Sequence, residues 1–196
     1  TASPAAVHAG VGEILDAGRE ARALLRDLLA FTGRQTLELQ TLSLREVVSD
    51  AEDALRDSLP ADVGLLVRPG SGEALVNADP GGVREILAHL VDNAKGAMPE
   101  GGYVVVAVDE VELDEAFARE HPSTRPGPHV MLSVTDTGVG MDDETQARIF
   151  EPFYNPRRTG TGSGMGLATV YGIVKQLGGS IWVTSRPGGG TTFRIY

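Results

Sequence analysis

The 196-residue chain has no cysteine, which excludes disulfides, thiolate metal sites and cysteine nucleophiles. That absence fits a reducing compartment, and a cytoplasmic location is expected. No run of eighteen apolar residues occurs, and the opening TASPAAVHAGVG lacks the basic-then-apolar order of a secretory signal, so a soluble segment without membrane contact is expected. Basic residues are few. Lys and Arg number 17 against 27 Asp and Glu, a formal charge of −10, so the surface should repel nucleic acid phosphates and anionic lipid. Glycine is plentiful at 25 residues, yet it clusters at 160–166, 178–179 and 188–190. Such clustering belongs to shaped loops, and a hydrophobic content of 41% supplies a core.

Apolar or small residues at Val11, Ile14, Gly18, Ala21, Leu25, Leu28 and Thr32 alternate steps of three and four, which predicts one long amphipathic helix over 11–35. Leu15 and Leu29 widen the stripe, so the helix fits either its own domain or a hairpin or intersubunit bundle. Ser43 and Glu46 have capping-box spacing and predict a second helix ending near residues 58–60. VGLLV and EALVN read as short strands. Asp79-Pro80 predicts a helix start, because aspartate caps and proline at the first helical position loses no bond. The helix should run over 80–98, with Val83, Ile86, Leu87, Leu90, Val91 and Ala94 inward and Glu85, His89, Asn93 and Gly96 on a polar face. YVVVAVDEVEL and HVMLSVTD predict strands joined by an excursion with a short helix at 114–120. A helix over 166–178 ends at Gly178-Gly179, and SIWVTS and TTFRIY form a closing strand pair. The order predicts an α+β fold, a two-layer sandwich of helices on a mixed sheet, preceded by a long N-terminal helix.

Three features carry chemistry. Asp136 ends an apolar strand and precedes Thr-Gly-Val-Gly; a carboxylate there either makes a turn or accepts a hydrogen bond from an exocyclic amine such as that of adenine. The segment GTGSGMGLATV places Gly160, Gly162, Gly164 and Gly166 at alternate positions and then opens a helix, whose free N–H groups suit a phosphate. It is neither a Walker loop nor a dinucleotide fingerprint, since no Lys-Ser/Thr follows and no strand leads in. The amide oxygen of Asn93 suits a magnesium ion that takes its remaining ligands from water and phosphates, although a lone asparagine is more often a surface residue. Together the three would give base, phosphate and metal contacts to one ATP.

Four segments in order, EILAHLVDNAKGAMPEGG, DTGVGM, IFEPFY and GTGSGMGLATVYGIVKQLGGSIWV, resemble the asparagine, first glycine, phenylalanine and second glycine boxes of sensor histidine kinases. Their catalytic ATP-binding domain belongs to the ATPase group of gyrase B, the MutL proteins and the ninety-kilodalton heat-shock chaperone. GREARALLRDLLAFTGRQ is similar to the second helix of the dimerisation and phosphotransfer hairpin of nitrogen-regulation-type kinases. The resemblance implies residues 1–40 as a partial hairpin segment and 41–196 as the catalytic domain, with ATP and magnesium as cofactors. It implies Asn93 as the magnesium ligand, Asp136 at the adenine amine, Gly138 and Gly140 shaping the base pocket, and Gly162, Gly164 and Gly166 at the phosphates. Residues 151–163 would be a lid, with Phe153 in its anchor and Arg157 where a lysine is common. Lys95, Ala97, Met141, Met165 and Leu167 complete the expected nucleotide-binding set. No catalytic residue is assigned.

His89 departs from the family, which commonly has asparagine there. A phosphoacceptor box is also missing: none of His8, His89, His121 and His129 stands in one, so the segment is expected to begin after the first hairpin helix. The function implied is transfer of the ATP γ-phosphoryl group to a histidine outside this segment and then to a response-regulator receiver domain, in a protein expected to be a homodimer at full length. The alternative is a nucleotide-binding regulatory module without phosphotransfer. A water-using clamp ATPase is disfavoured because no carboxylate stands at position 89.

Overall fold

A computed structural model describes residues 12, 15, 18, 21, 22, 25, 28–30, 36–121, 124–156 and 164–196. The described residues between 12 and 30 are all helical. Leu15, Leu25, Leu28 and Leu29 are exposed, while Ala30 is buried and its carbonyl accepts a hydrogen bond from Gln176 Nε2 at 3.0 Å. Val11, Ile14 and Thr32 of the predicted stripe lie outside the described residues.

The elements that follow are β1 (Gln40–Ser43), α1 (Leu44–Ser58), β2 (Val63–Arg68), β3 (Leu75–Ala78), α2 (Pro80–Ala97), β4 (Gly102–Leu113), α3 (Glu115–Glu120), β5 (Gly127–Asp136), α4 (Asp143–Arg148), α5 (Gly166–Gln176), β6 (Ile181–Ser185) and β7 (Thr191–Ile195). Five strands form one sheet in the order β2-β4-β5-β7-β6, and β1 pairs with β3 apart from it. β2 and β4 run parallel and the other neighbours antiparallel, so the sheet is mixed, as the element order predicts. Its inner face shows the period of two that a half-covered sheet requires: Val104, Val106 and Val108 are buried while Tyr103 and Asp109 are exposed. Val48, Leu55, Ile86, Leu90, Val170 and Ile173 from α1, α2 and α5 join Phe193 in the same core.

Two ends of helices behave as their sequences predict. Asp79 accepts from Gly81 N at 3.0 Å ahead of Pro80, a cap worth about 1 kcal/mol. At the end of α5, Gly179 N donates to Val174 O at 2.9 Å and Gly178 N to Lys175 O at 3.1 Å, with Gly178 at φ +77. This paired arrangement of a left-handed glycine closes the helix two residues before the predicted end.

Three local expectations are corrected. Ser43 does not cap α1 with its side chain; its hydroxyl donates to Glu73 O at 3.0 Å, and the residue closes β1 instead. EALVN is a strand only from Leu75, because Ala74 sits at φ +46 and its N–H is taken by Glu110 Oε1 at 2.9 Å. Helix α4 was not anticipated: it has no buried residue, hence no apolar period.

Candidate nucleotide site

Helix α2 buries Ile86, Leu87, Leu90, Val91 and Ala94, which turns Glu85, His89 and Asn93 onto one half-buried polar face at steps of four. Glu85 Oε1 lies 4.0 Å from His89 Nε2. Lys95 stands about 200° around the helix from Asn93 and pairs with Asp92 at 3.6 Å, so it does not share that face. Ala97, fully buried, closes the helix, and its carbonyl accepts from Val139 N at 3.0 Å. The helix end is thereby tied to the loop that follows β5.

Asp136 is the last residue of β5 and only 3% exposed. Its Oδ1 accepts from Gly138 N at 2.8 Å, and its backbone pairs with Val104 and Thr191 on the flanking strands. The loop 137–141 is confined on both sides. A Cβ on Gly138 would lie 2.5 Å from Ala97 O, and one on Gly140, at φ +67, would overlap Arg186 O. On the far side, Gly188 N donates to Val139 O at 2.7 Å and Gly190 N to Gly138 O at 3.0 Å. Met141, buried at the loop's end, donates its N–H to Ser185 Oγ at 2.9 Å. A carboxylate held this way is a rigid acceptor with little water around it, as recognition of an amine requires.

The start of α5 meets α2 at this end of the molecule. A Cβ on Gly166 would lie 3.1 Å from His89 Nδ1, so the first helical residue abuts the polar face of α2. Among the described residues no side chain caps α5 and no acidic residue stands in its first turn, so the positive end of the helix dipole there suits an anion. Met165 at the N-cap position is buried with its carbonyl on Thr169 N at 2.8 Å, and Leu167 is half-buried. Phe153 is 68% exposed at φ +63, and a Cβ on Gly164 would fall 2.7 Å from its carbonyl carbon. Arg157 and Gly162 lie outside the described residues. The structure therefore groups Asn93, Ala97, Asp136, Gly138, Gly140, Met141, Met165 and Gly166 around one end of the helix–sheet interface.

Among the described residues no cluster of three or more His, Cys, Asp or Glu could hold a metal. A magnesium ion bound through the Asn93 amide and nucleotide phosphates fits that donor set, because such an ion keeps its waters and needs no carboxylate cage. A cleft of about 1100 Å³ lies at the opposite pole, lined by Val83 and Ile86 of the first turns of α2 and by Val130 and Leu132 of β5. None of the residues grouped above lines it.

Sequence reasoning missed Ser185 and Gln146, which hold the loop 137–141 from behind. Ser185 was detectable: it is a polar residue on the inward phase of IWVTS, after Ile181 and Val183. Gln146 carried no such signal.

A profile described as histidine kinase-, DNA gyrase B-, and HSP90-like ATPase matches residues 78–196, more than half of the chain. The chain is 37% identical over 176 residues to a protein named sensor kinase CckA from Brucella abortus, covering 90% of this chain and 19% of that relative. It is 32% identical over 182 residues to sensor histidine kinase ZraS from Klebsiella oxytoca, covering 91% of this chain and 36% of that relative. The chain thus spans well under half the length of these curated relatives. Among solved structures, the mycobacterial sensor histidine kinase MprB superposes with a TM-score of 0.61 at 25% identity, covering 82% of this chain and 95% of the other. The Acinetobacter baumannii histidine kinase AdeS gives a TM-score of 0.68 at 19% identity, covering 100% and 84%, a likeness of fold.

Proposed function

The chain belongs to the family of histidine kinase-, DNA gyrase B-, and HSP90-like ATPases and is an ATP-binding catalytic domain of the sensor histidine kinase type, and on that premise we propose how it holds ATP and where it delivers phosphate. Adenine lies in the loop 137–141 with its exocyclic amine on Asp136, between Gly138, Gly140 and Met141. The phosphates lie at the start of α5, on the N–H groups of Gly162, Gly164 and Gly166, with Met165 and Leu167 behind them. Asn93 supplies the protein ligand of a magnesium ion, which when bound would neutralise phosphate charge. Residues 151–163 form a lid, with Phe153 as anchor and Arg157 as a cation for the γ-phosphate. Lys95, off the Asn93 face, adds only its positive charge to the proposed nucleotide set.

The reaction is attack of a histidine ring nitrogen, outside this segment, on the γ-phosphorus. A P–N bond forms, the bond to the β,γ-bridging oxygen breaks, and ADP leaves with that oxygen. The protein's contribution is positioning and charge stabilisation. The phosphohistidine then passes its phosphoryl group to an aspartate of a response-regulator receiver domain. We assign residues 1–40 to a hairpin segment of nitrogen-regulation type that dimerises in the whole protein, and 41–196 to the catalytic domain.

The observation that carries this reading is that the start of α5, with no acidic residue in its first turn, lies against the polar face of α2, at the same end as the buried Asp136. The test supplies a separate helical hairpin with a phosphoacceptor histidine, γ-labelled ATP and magnesium. Acid-labile label on the hairpin is expected. Nucleotide binding without transfer would favour the regulatory module, and steady phosphate release without hairpin would point to a hydrolase.

A further inference from the structure

The hydroxyl of Ser185 stands at the junction between the base loop and the β6–β7 hairpin. It is buried, with the residue 8% exposed, and its hydrogen bonds balance: it donates to Gly190 O at 2.7 Å, accepts from Met141 N at 2.9 Å, and lies 3.0 Å from the Thr191 hydroxyl, which can donate to it. Gly190 N in turn donates to Gly138 O at 3.0 Å, and Gly138 N holds Asp136 Oδ1 at 2.8 Å. Ser185 thus reaches Gly138 from both sides, through Met141 along the loop and through Gly190 across it. Gln146 on α4 fixes Ser185 in turn: its Oε1 accepts from Ser185 N at 3.0 Å, and its Nε2 donates to Ser185 O at 3.2 Å and Met141 O at 3.3 Å. One amide therefore does for the outer strand β6 what a further strand would do, and ties the end of the loop to it.

We propose that Ser185, held by Gln146, is the positioning residue for base recognition: it fixes the loop 137–141 so that the Asp136 carboxylate meets the exocyclic amine of the nucleotide. This rests on the assignment of Asp136 to the adenine amine. In the Ser185→Ala variant, Met141 N and Gly190 O lose a buried partner, the loop slackens at its far end, and Gly138 no longer holds Asp136 in one orientation. The loss falls on the amine contact and not on ribose or phosphate contacts.

The experiment is calorimetric titration of the whole chain with ADP and magnesium, and with the diphosphate of purine riboside, which lacks only the exocyclic amine. The parent chain should prefer ADP. Ser185→Ala should weaken ADP about tenfold while leaving the amine-free analogue within about twofold, and Ser185→Thr should restore ADP binding. Equal weakening of both nucleotides, or of neither, would overturn the proposal. A parent chain that binds both nucleotides equally would instead sink the assignment of Asp136 itself. Because the comparison is between two nucleotides on one variant, a lowered fraction of folded protein cancels. Should Ser185→Ala fail to fold, Gln146→Leu, at a half-buried position, is expected to show the same selective loss, and equal losses there would count against the proposal.

Discussion

Exchanging Asp136 for asparagine replaces one oxygen by an amide nitrogen at a position only 3% exposed. The geometry leaves the amide no good orientation. If its oxygen keeps the 2.8 Å bond from Gly138 N, the NH₂ group is the one turned toward the nucleotide amine, donor against donor. If the amide flips, the same conflict arises with Gly138 N. A hydrogen bond to a charged acceptor contributes about 1.5–3 kcal/mol, and a buried donor without an acceptor costs about 1–3 kcal/mol. The low ends sum to about 2.5 kcal/mol, so Kd for ADP should rise by close to a hundredfold. The shape of the side chain is kept, so the unliganded variant should melt within about 4 °C of the parent, the shift that about 1 kcal/mol produces in a domain of this size. Calorimetric titration with ADP and magnesium, alongside thermal melting, measures both quantities. A variant that binds ADP within threefold of the parent would refute the reasoning, and one that melts far lower would show that Asp136 serves the fold.

Two glycines separate backbone strain from collision. Gly178 and Gly190 have nearly the same φ, +77 and +73, but a Cβ on Gly178 meets nothing within 4 Å while one on Gly190 would overlap Asp136 O. Gly178→Ala should therefore cost about 1 kcal/mol, or about 2–4 °C in Tm, with nucleotide affinity unchanged. Gly190→Ala should cost more than about 3 kcal/mol and weaken ADP binding as well; equal melting temperatures for the two would contradict the structure. For pH, the Thr145 side chain and then its N–H, 2.8 Å from Asp142 Oδ1, hold the exposed Asp142 carboxyl below its ordinary range. A depressed pKa means that the cap's contribution to α4 is fully present above the unfolded value of about 3.9 and is lost as pH falls through the lower folded value. Protection of the amides of residues 143–148, the exchange rate relative to the intrinsic rate at each pH, should fall only in that window between pH 5 and pH 2. A measured Asp142 pKa at or above the ordinary value would contradict it.

How far the sequence could be read depended on how local each cause is. The start of α2 was legible because Asp79-Pro80 acts within two residues, and its polar face because a period of 3.6 sorts eighteen residues without reference to anything else. Asp136 at a strand end and the glycine closure of α5 were legible for the same reason. β1 was not: its four residues QTLS are exposed or half-buried, and the strand exists only by pairing with β3, some thirty-five residues on. The Ser43–Glu46 spacing misled because a carbonyl thirty residues away, that of Glu73, competes successfully for the hydroxyl. Gln146 illustrates the same limit at the site, since its value lies in bonds to a strand thirty-nine residues later.

The glycines of the two boxes mark meeting points of backbone as much as proposed ligand contacts. Gly138 is needed because Ala97 ends α2 against it, and at Gly166 the His89 ring lies against the first residue of α5, so a side chain there would require the ring to give way. The first meeting joins α2 to the loop 137–141, proposed for the base; the second joins α2 to the start of α5, proposed for the phosphates. Both run through α2, whose buried face is itself anchored in the core by Leu87 and Leu90. A shift of α2 along its axis would therefore move the base end and the phosphate end of the site together. The Asn93 side chain travels with them, since it lies on the same rigid helix between His89 and Ala97. That arrangement explains why Asp79-Pro80, far from any proposed ligand contact, matters to the site: a firm N-terminal stop fixes the register of the one element to which all three contact regions refer.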